Sequence, residues 1–100
     1  MGICIEDTET RKYTLNGSAA TVIAGVNVNR IIFSVCVDGA VGVGAFVRLK
    51  PAAEDPTEKA GIFITGGGHW EMPEGVHYTG EVSAIASNNS PQLHVTEAII

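Results

Sequence analysis

The chain has 100 residues, of which 45% are hydrophobic, 17% are charged and 12 are glycine. Low charge and many small or β-branched residues argue against a coiled coil and against disorder, and the length predicts a single domain over residues 1–100. Six basic against eleven acidic residues give a net charge of −5, which leaves no basic stripe for binding nucleic acid.

The first ten residues are polar and acidic after Ile5, and we expect residues 1–10 to form an extended arm. They lack a basic region followed by a long apolar segment, so a signal peptide is not expected. No apolar run approaches the roughly 18 residues that span a bilayer, so no membrane attachment is expected. Cys4 and Cys36 match neither a metal motif nor a CxxC motif. We interpret them as free thiols of a cytosolic chain, with a single bridge as the alternative.

Short segments with alternating apolar residues predict strands in the first half of the chain. Residues 12–15 and 20–24 are two short candidates, separated by the turn sequence Asn16-Gly17-Ser18. Residues 25–29 have the composition of a loop. The strand predicted over 30–38 has an apolar residue at every second position, which indicates one fully buried face.

A hairpin is the local structure that the sequence supports best. Asp38-Gly39-Ala40 has the composition of a turn, and residues 41–49 alternate again after it. Gly42 and Gly44 weaken this second strand and indicate a bulge or a close approach of two backbones.

The second half of the chain continues the same pattern. Residues 51–61 form the longest polar loop, with room for one helical turn, and further strands are predicted over 62–65, 69–72, 81–86 and 93–97. Seven or eight short strands with regular turns favour an all-β fold, either a β-sandwich or a small barrel of antiparallel strands. The residues expected in its core are Ile31, Phe33, Val35, Val37, Val43, Val47, Val82, Leu93 and Val95.

The sequence contains few side chains that could bind a metal ion or act in catalysis. His69, His77 and His94, with Glu71, are imaginable metal ligands, but their spacing fits no established motif and no metal is expected. Cys36 lies between two valines, a poor environment for a thiolate, and no Gly-x-Ser-x-Gly elbow occurs. We therefore predict no catalytic residues, no cofactor and no enzymatic activity.

Three glycines, an aromatic pair and the C-terminal residues each allow two interpretations. The glycines at 66–68 lead into a strand and are interpreted as a turn rather than a phosphate loop. Trp70 and Tyr78 are interpreted as packing residues, with a carbohydrate-binding module as the alternative function. Ile99 and Ile100 either extend the last strand into the core or contact a partner chain.

The order of the motifs resembles that of small tailed-phage virion proteins over residues 27 to 98. The matching motifs are an Asn29-Arg30 pair that opens a strand, a Gly67-Gly68 turn before His69-Trp70-Glu71-Met72, Tyr78-Thr79-Gly80-Glu81 before Val82-Ser83-Ala84-Ile85-Ala86, and a closing Leu93-His94-Val95-Thr96-Glu97-Ala98. The 51–61 loop and the 1–10 arm depart from that pattern.

This resemblance implies a non-enzymatic structural protein of the virion, made in the host cytoplasm. Its expected role is to decorate or cement the outside of the head, and a tail or fibre accessory protein is the alternative. The implied partners are capsid or other virion proteins and further copies of the chain, with Ile99 and Ile100 as the expected contact.

Overall fold

Eight antiparallel strands form two four-stranded sheets in the computed structural model, which describes residues 7–40, 42–72 and 78–99. The fold is a small β-sandwich, as the alternating sequence predicts. The strands are β1 Asp7–Thr14, β2 Thr21–Ala24, β3 Arg30–Asp38, β4 Gly44–Arg48, β5 Ile62–Thr65, β6 His69–Glu71, β7 Val82–Ala86 and β8 Gln92–Ile99. The part of the chain that the structure describes contains no helix long and apolar enough to cross a membrane.

Successive strands lie in different sheets, except for β4 and β5, which are neighbours in the second sheet. The first sheet has the order β1-β8-β3-β6 and the second has the order β2-β7-β4-β5. The short connections after β1, β3, β5 and β7 therefore all cross between sheets at one end of the sandwich, which we call the turn end. The connections after β2, β4 and β6 begin at the opposite end, which we call the loop end.

The hairpin predicted around Asp38-Gly39-Ala40 is wrong. β3 pairs with β6 and β8, whereas β4 pairs with β5 and β7 in the other sheet. β3 and β4 contribute apolar side chains to one shared core from different sheets instead of sharing a hydrogen-bonded edge. Alternation and a turn sequence describe both arrangements equally well, because a period of two sets which face is buried and not which strand is the neighbour.

Most of the predicted core is confirmed. The buried members are Phe33, Val35, Val37, Val47, Val82, Leu93 and Val95, joined by Leu15, Ile23, Ala24, Ala45, Ile64, Ala84 and Ala86. Ile31 and Val43 are only half-buried, contrary to prediction. A register shift between Arg30 and Ile32 turns Arg30 inward in place of Ile31, and Val43 precedes β4.

Two segments that were expected to be irregular, residues 7–10 and residues 51–61, have defined positions in the fold. Residues 7–10 belong to β1 and pair with β8, while residues 1–6 of the expected arm lie outside the described residues. Residues 51–61, which we call the strap, fold back across the outer face of the second sheet. The strap is tied there by Ala20 N–H donating to Pro56 O at 2.7 Å and by Lys59 Nζ donating to Ser87 O at 3.1 Å.

Candidate functional site

A largely buried cluster of charged residues, which includes the partly exposed Arg11, lies at the loop end of the sandwich. Arg30 opens β3 and is 2% exposed, and its Nε donates to Glu97 Oε2 on β8 at 2.5 Å. Arg11 of β1 reaches the other oxygen of the same carboxylate at 3.2 Å. The Glu97 carboxylate thus contacts both guanidinium groups, and backbone carbonyls accept further hydrogen bonds from Arg30 and Arg11.

Each guanidinium nitrogen of Arg30 has an acceptor. Besides the bond to Glu97, Nη1 donates to the carbonyls of Tyr78 and Gly80, both at 3.0 Å, and Nη2 donates to Gly25 O at 2.6 Å. The guanidinium carbon also lies 5.3 Å from the centre of the Phe33 ring. With these donors used internally, Arg30 links the first sheet to two loop-end segments, and we call this set of contacts the arginine joint.

This cluster was not predicted from the sequence, although the sequence contains a sign of it. Glu97 occurs in phase with Leu93 and Val95, which are buried, so the alternation of β8 places a carboxylate on the core face. A charge on a buried face needs an opposite charge and hydrogen bonds. Its partner was not identifiable, because Arg30 turns inward only through the bulge in β3.

The loop between β2 and β3 is fixed by this cluster and presents apolar residues to solvent. Asn27 N–H donates to Thr79 O at 2.8 Å, and the Asn27 side chain accepts from Asn29 N–H at 2.9 Å. Val26 and Val28 on either side of Asn27 are 72% and 78% exposed. We call residues 25–29 the valine loop.

The predicted contact residues at the C-terminus are only partly described. Ile99 is the last residue of β8, where it pairs with Asp7 on one side and Arg30 on the other, and it is half-buried. Ile99 therefore extends the last strand at the loop end, next to the valine loop. Ile100 lies outside the described residues, and the role of both residues as a partner contact stays a prediction.

His69 and His94 lie on the solvent-facing side of the first sheet. In register, Cys36 is opposite His94 on one side and His69 on the other, and His94 Nε2 is 3.8 Å from Asp38 Oδ2. No group of three or more His, Cys, Asp or Glu within residues 7–40, 42–72 and 78–99 is arranged to hold a metal ion. His77 falls outside those ranges.

We expect both cysteines to be reduced. Cys36 is free and exposed, whereas Cys4 lies outside the described residues. Iodoacetamide should add two groups per chain in denaturant without reductant, as measured by intact mass. A denatured chain that takes up no adduct would contain a Cys4–Cys36 bridge.

The aromatic residues considered for sugar stacking are engaged in packing. The Trp70 ring is half-buried and meets Phe33 edge-on, with ring centres 6.4 Å apart. The Tyr78 hydroxyl donates to Glu81 O at 2.8 Å, and desolvation raises the pKa of this phenol against the opposing charge of Arg30. Both rings are thus partly buried against the core, as the packing interpretation expects, and the carbohydrate-binding alternative stays a prediction.

The Gly66-Gly67-Gly68 segment forms the turn between β5 and β6, as interpreted from the sequence. Gly67 has a φ of 83°, and a Cβ atom on Gly66 would clash with the carbonyl oxygens of Gly39 and Ala40. Glycine is needed here for backbone conformation and for close packing of two turns at the turn end.

A second buried arginine lies under the strap. Arg48 is 1% exposed, and its Nη2 donates to the carbonyls of Pro51 and Glu54. Within the part of the chain that the structure describes, its Nε and Nη1 are buried without a hydrogen-bond partner. On the outside of the strap, Lys50 contacts Glu58 at 2.9 Å and Asp55 at 3.3 Å, and the hydrogen bond to Glu58 is the main cause of the raised pKa of Lys50.

Replacing Arg48 is expected to leave the protein as stable or to stabilise it. In Arg48→Met, an apolar chain of similar length removes two unpartnered buried donors, so the free energy of unfolding should change by between zero and a gain of about 2 kcal/mol. Urea unfolding measures this. A loss above about 3 kcal/mol would mean that the two carbonyl contacts of Arg48 hold the strap in place.

Comparisons of the chain with protein-family models, with curated proteins and with solved structures find no match. The class of protein is therefore defined by the fold and its surfaces. It is a two-sheet β-sandwich with a buried arginine joint and an exposed apolar loop at the same end.

Proposed function

We propose that this chain is a non-enzymatic structural protein of a tailed-phage virion, which decorates or cements the outside of the head. The observation that carries the proposal is that three of the four motifs behind the phage resemblance meet in one cluster around Arg30. Arg30 comes from the Asn29-Arg30 pair, Glu97 comes from the closing strand, and Tyr78 and Gly80 supply carbonyls from the third motif. Residues far apart in sequence thus form a single structural joint.

The physical character of the domain fits this role. A decoration protein has to stay folded outside the cell and contribute many weak contacts, each multiplied by the number of copies on the particle. The buried Arg30–Glu97 bond and the packed core supply rigidity. The net charge of −5 disfavours contact with packaged DNA, so the proposed partners are virion proteins and further copies of the chain.

The test is the particle itself. Purified virions should contain this chain in a stoichiometric number of copies, measured by quantitative mass spectrometry, and cryo-electron microscopy should locate it on the head. Regular density on the tail or fibres would support the accessory-protein alternative instead. Particles without the chain, together with a monomer at high concentration, would contradict the structural proposal.

Ile99 and Ile100 are the contact proposed from the sequence, and two variants separate their roles. Deleting residues 99 and 100 removes a residue paired with both β1 and β3, so this deletion risks unfolding the end of β8. Ile100→Ser leaves the described part of β8 intact. If Ile100→Ser folds normally but sediments as a smaller oligomer or no longer binds undecorated heads, the terminus is a partner contact. Unchanged assembly and binding would exclude Ile100 from the interface.

A further inference from the structure

Among the described strands, β1 has the longest edge without a partner. β1 and β6 are the outermost strands of the first sheet, and β2 and β5 are those of the second. β6, β2 and β5 have three, four and four residues, whereas β1 has eight. Within the described ranges, no backbone hydrogen bond joins β1 to a strand other than β8. Alternate residues of β1 therefore direct N–H and C=O groups away from the sandwich, along what we call the β1 edge.

The backbone of β1 lacks the features that commonly protect a strand edge. The strand contains no proline and no glycine, and it pairs with β8 in unbroken register from Asp7 to Thr14. The edge strand β2, by comparison, is short, and its register shifts between Val22 and Ala24. Short length, bulges and prolines keep other chains from adding to an edge, whereas a long regular edge accepts a further strand.

The charges of β1 favour one particular partner. The first half of the strand contains Asp7 and Glu9, and the second half contains Arg11 and Lys12. Charged residues on an edge repel most strands, but an antiparallel second copy of β1 brings the acidic half of each copy beside the basic half of the other. The β1 edge is therefore complementary to itself, which is the property that a two-fold dimer requires.

Two-fold symmetry leaves few registers for this pairing. Opposite residues of an antiparallel pair share a face of the sheet, so the axis must pass through a residue. With the axis at Thr10, Glu9 of each copy is opposite Arg11 of the other. Moving the axis by one residue either way places Glu9 opposite Glu9 or Arg11 opposite Arg11, and like charges directly opposite are destabilising. Arg11 keeps its contact with Glu97 in the Thr10 register, and 23% of its side chain is exposed.

The residues outside the described ranges are too few or begin too far away to cover this edge. Six residues precede Asp7, fewer than the eight residues of β1 that a strand folded back onto the edge would have to cover. Residues 73–77 follow β6, which is the outermost strand on the opposite side of the same sheet. Covering the whole β1 edge therefore requires a second chain.

We propose that β1 is a dimerisation strand. The β1 edges of two copies of this chain pair antiparallel about a two-fold axis at Thr10, which joins the two first sheets into one continuous sheet. This inference goes beyond the proposed function, because it requires no virion and no partner other than the chain itself.

The experiment is sedimentation equilibrium of the full-length chain over a range of concentrations. Thr10 is exposed, so Thr10→Lys and Thr10→Glu should leave the fold of the dilute monomer unchanged, as circular dichroism checks. Each variant places two like charges directly opposite each other in the dimer, whereas a mixture of the two variants places opposite charges there.

The matched control is Thr96→Lys. Thr96 is opposite Thr10 on β8, one strand farther from the second copy. In the dimer the two copies of residue 96 are three strand spacings apart, each of about 4.8 Å. That separation exceeds the Debye length of about 8 Å at physiological ionic strength, so the added charges are screened from each other.

We expect the wild type to dimerise, and Thr10→Lys and Thr10→Glu each to self-associate about fivefold more weakly. An equimolar mixture of the two variants should recover wild-type association, and Thr96→Lys should stay within twofold of the wild type. A wild type that is monomeric at millimolar concentration would overturn the proposal, and so would a dimer that both Thr10 variants leave intact. Equal weakening by Thr10→Lys and Thr96→Lys would also overturn it, by assigning the contact to the outer face of the first sheet. Each of these results leaves the test on purified virions unaffected.

Discussion

Arg30→Ala should lower the free energy of unfolding by about 3–5 kcal/mol. The substitution leaves the Glu97 carboxylate buried with only Arg11 beside it, and it removes the donors that bind Gly25, Tyr78 and Gly80. For a domain of this size the loss corresponds to a fall in melting temperature of roughly 4–8 °C per kcal/mol. Urea unfolding, followed by circular dichroism, measures the change.

The control for this prediction is Lys12→Ala, an exposed basic residue of the first sheet, which should change stability by less than about 0.5 kcal/mol. A double-mutant cycle sharpens the test. Arg30→Met and Glu97→Met should each destabilise strongly, whereas the double variant should cost less than their sum because no unpaired charge remains buried. Additive losses would contradict the existence of a coupled ion pair.

Phe33→Ala should lower the free energy of unfolding by about 3–5 kcal/mol, which is close to the loss expected for Arg30→Ala. The Phe33 ring is 1% exposed, and its removal leaves a cavity between the sheets. It also removes the edge-on contact with Trp70 and the ring beneath the Arg30 guanidinium. Thermal and urea unfolding of the same sample both report this loss.

Phe63→Ala is the matched control, since it deletes the same ring from a half-exposed position on β5. Its ring contacts Phe46 with centres 5.0 Å apart, so a cost of about 1 kcal/mol is expected. A cost below about 1 kcal/mol for Phe33→Ala would show that β3 presents its other face to the core. Because Phe33 and Arg30 touch, their substitutions should not be additive.

The joint and the valine loop lie at the same end of the sandwich and are physically linked. Arg30 bonds to the carbonyls of Gly25 and Asn27 through its side chain and backbone, so it fixes the ends of the segment that carries Val26 and Val28. A weakened joint is therefore expected to loosen the loop before it unfolds the sheets. In this arrangement the residue that stabilises the fold also orders the loop between β2 and β3.

The fold class and most of the core were determined by the sequence alone. In residues 30–38 and 93–97, apolar residues at every second position place Phe33, Val35, Leu93 and Val95 on the buried faces of their strands. The bounds of β5 agree with the strand predicted over 62–65. These features depend on neighbours in sequence, because alternation follows from the pleat of a single strand. The turn at Gly66-Gly67-Gly68 was predictable for the same reason.

Only the tertiary structure decided how the strands are partnered and where the buried charges lie. The Asp38-Gly39-Ala40 turn crosses between sheets because β3 and β4 lie in different sheets and bury their apolar faces in one shared core, an arrangement that no local pattern distinguishes from a hairpin. A one-residue bulge turned Arg30 inward to meet Glu97, which is 67 residues away in sequence. The strap covers Arg48 through contacts with distant backbone at residues 20 and 87. A strand's own sequence sets which side chains share a face, but the partner of a buried charge is set by whichever distant segment the packed core brings beside it.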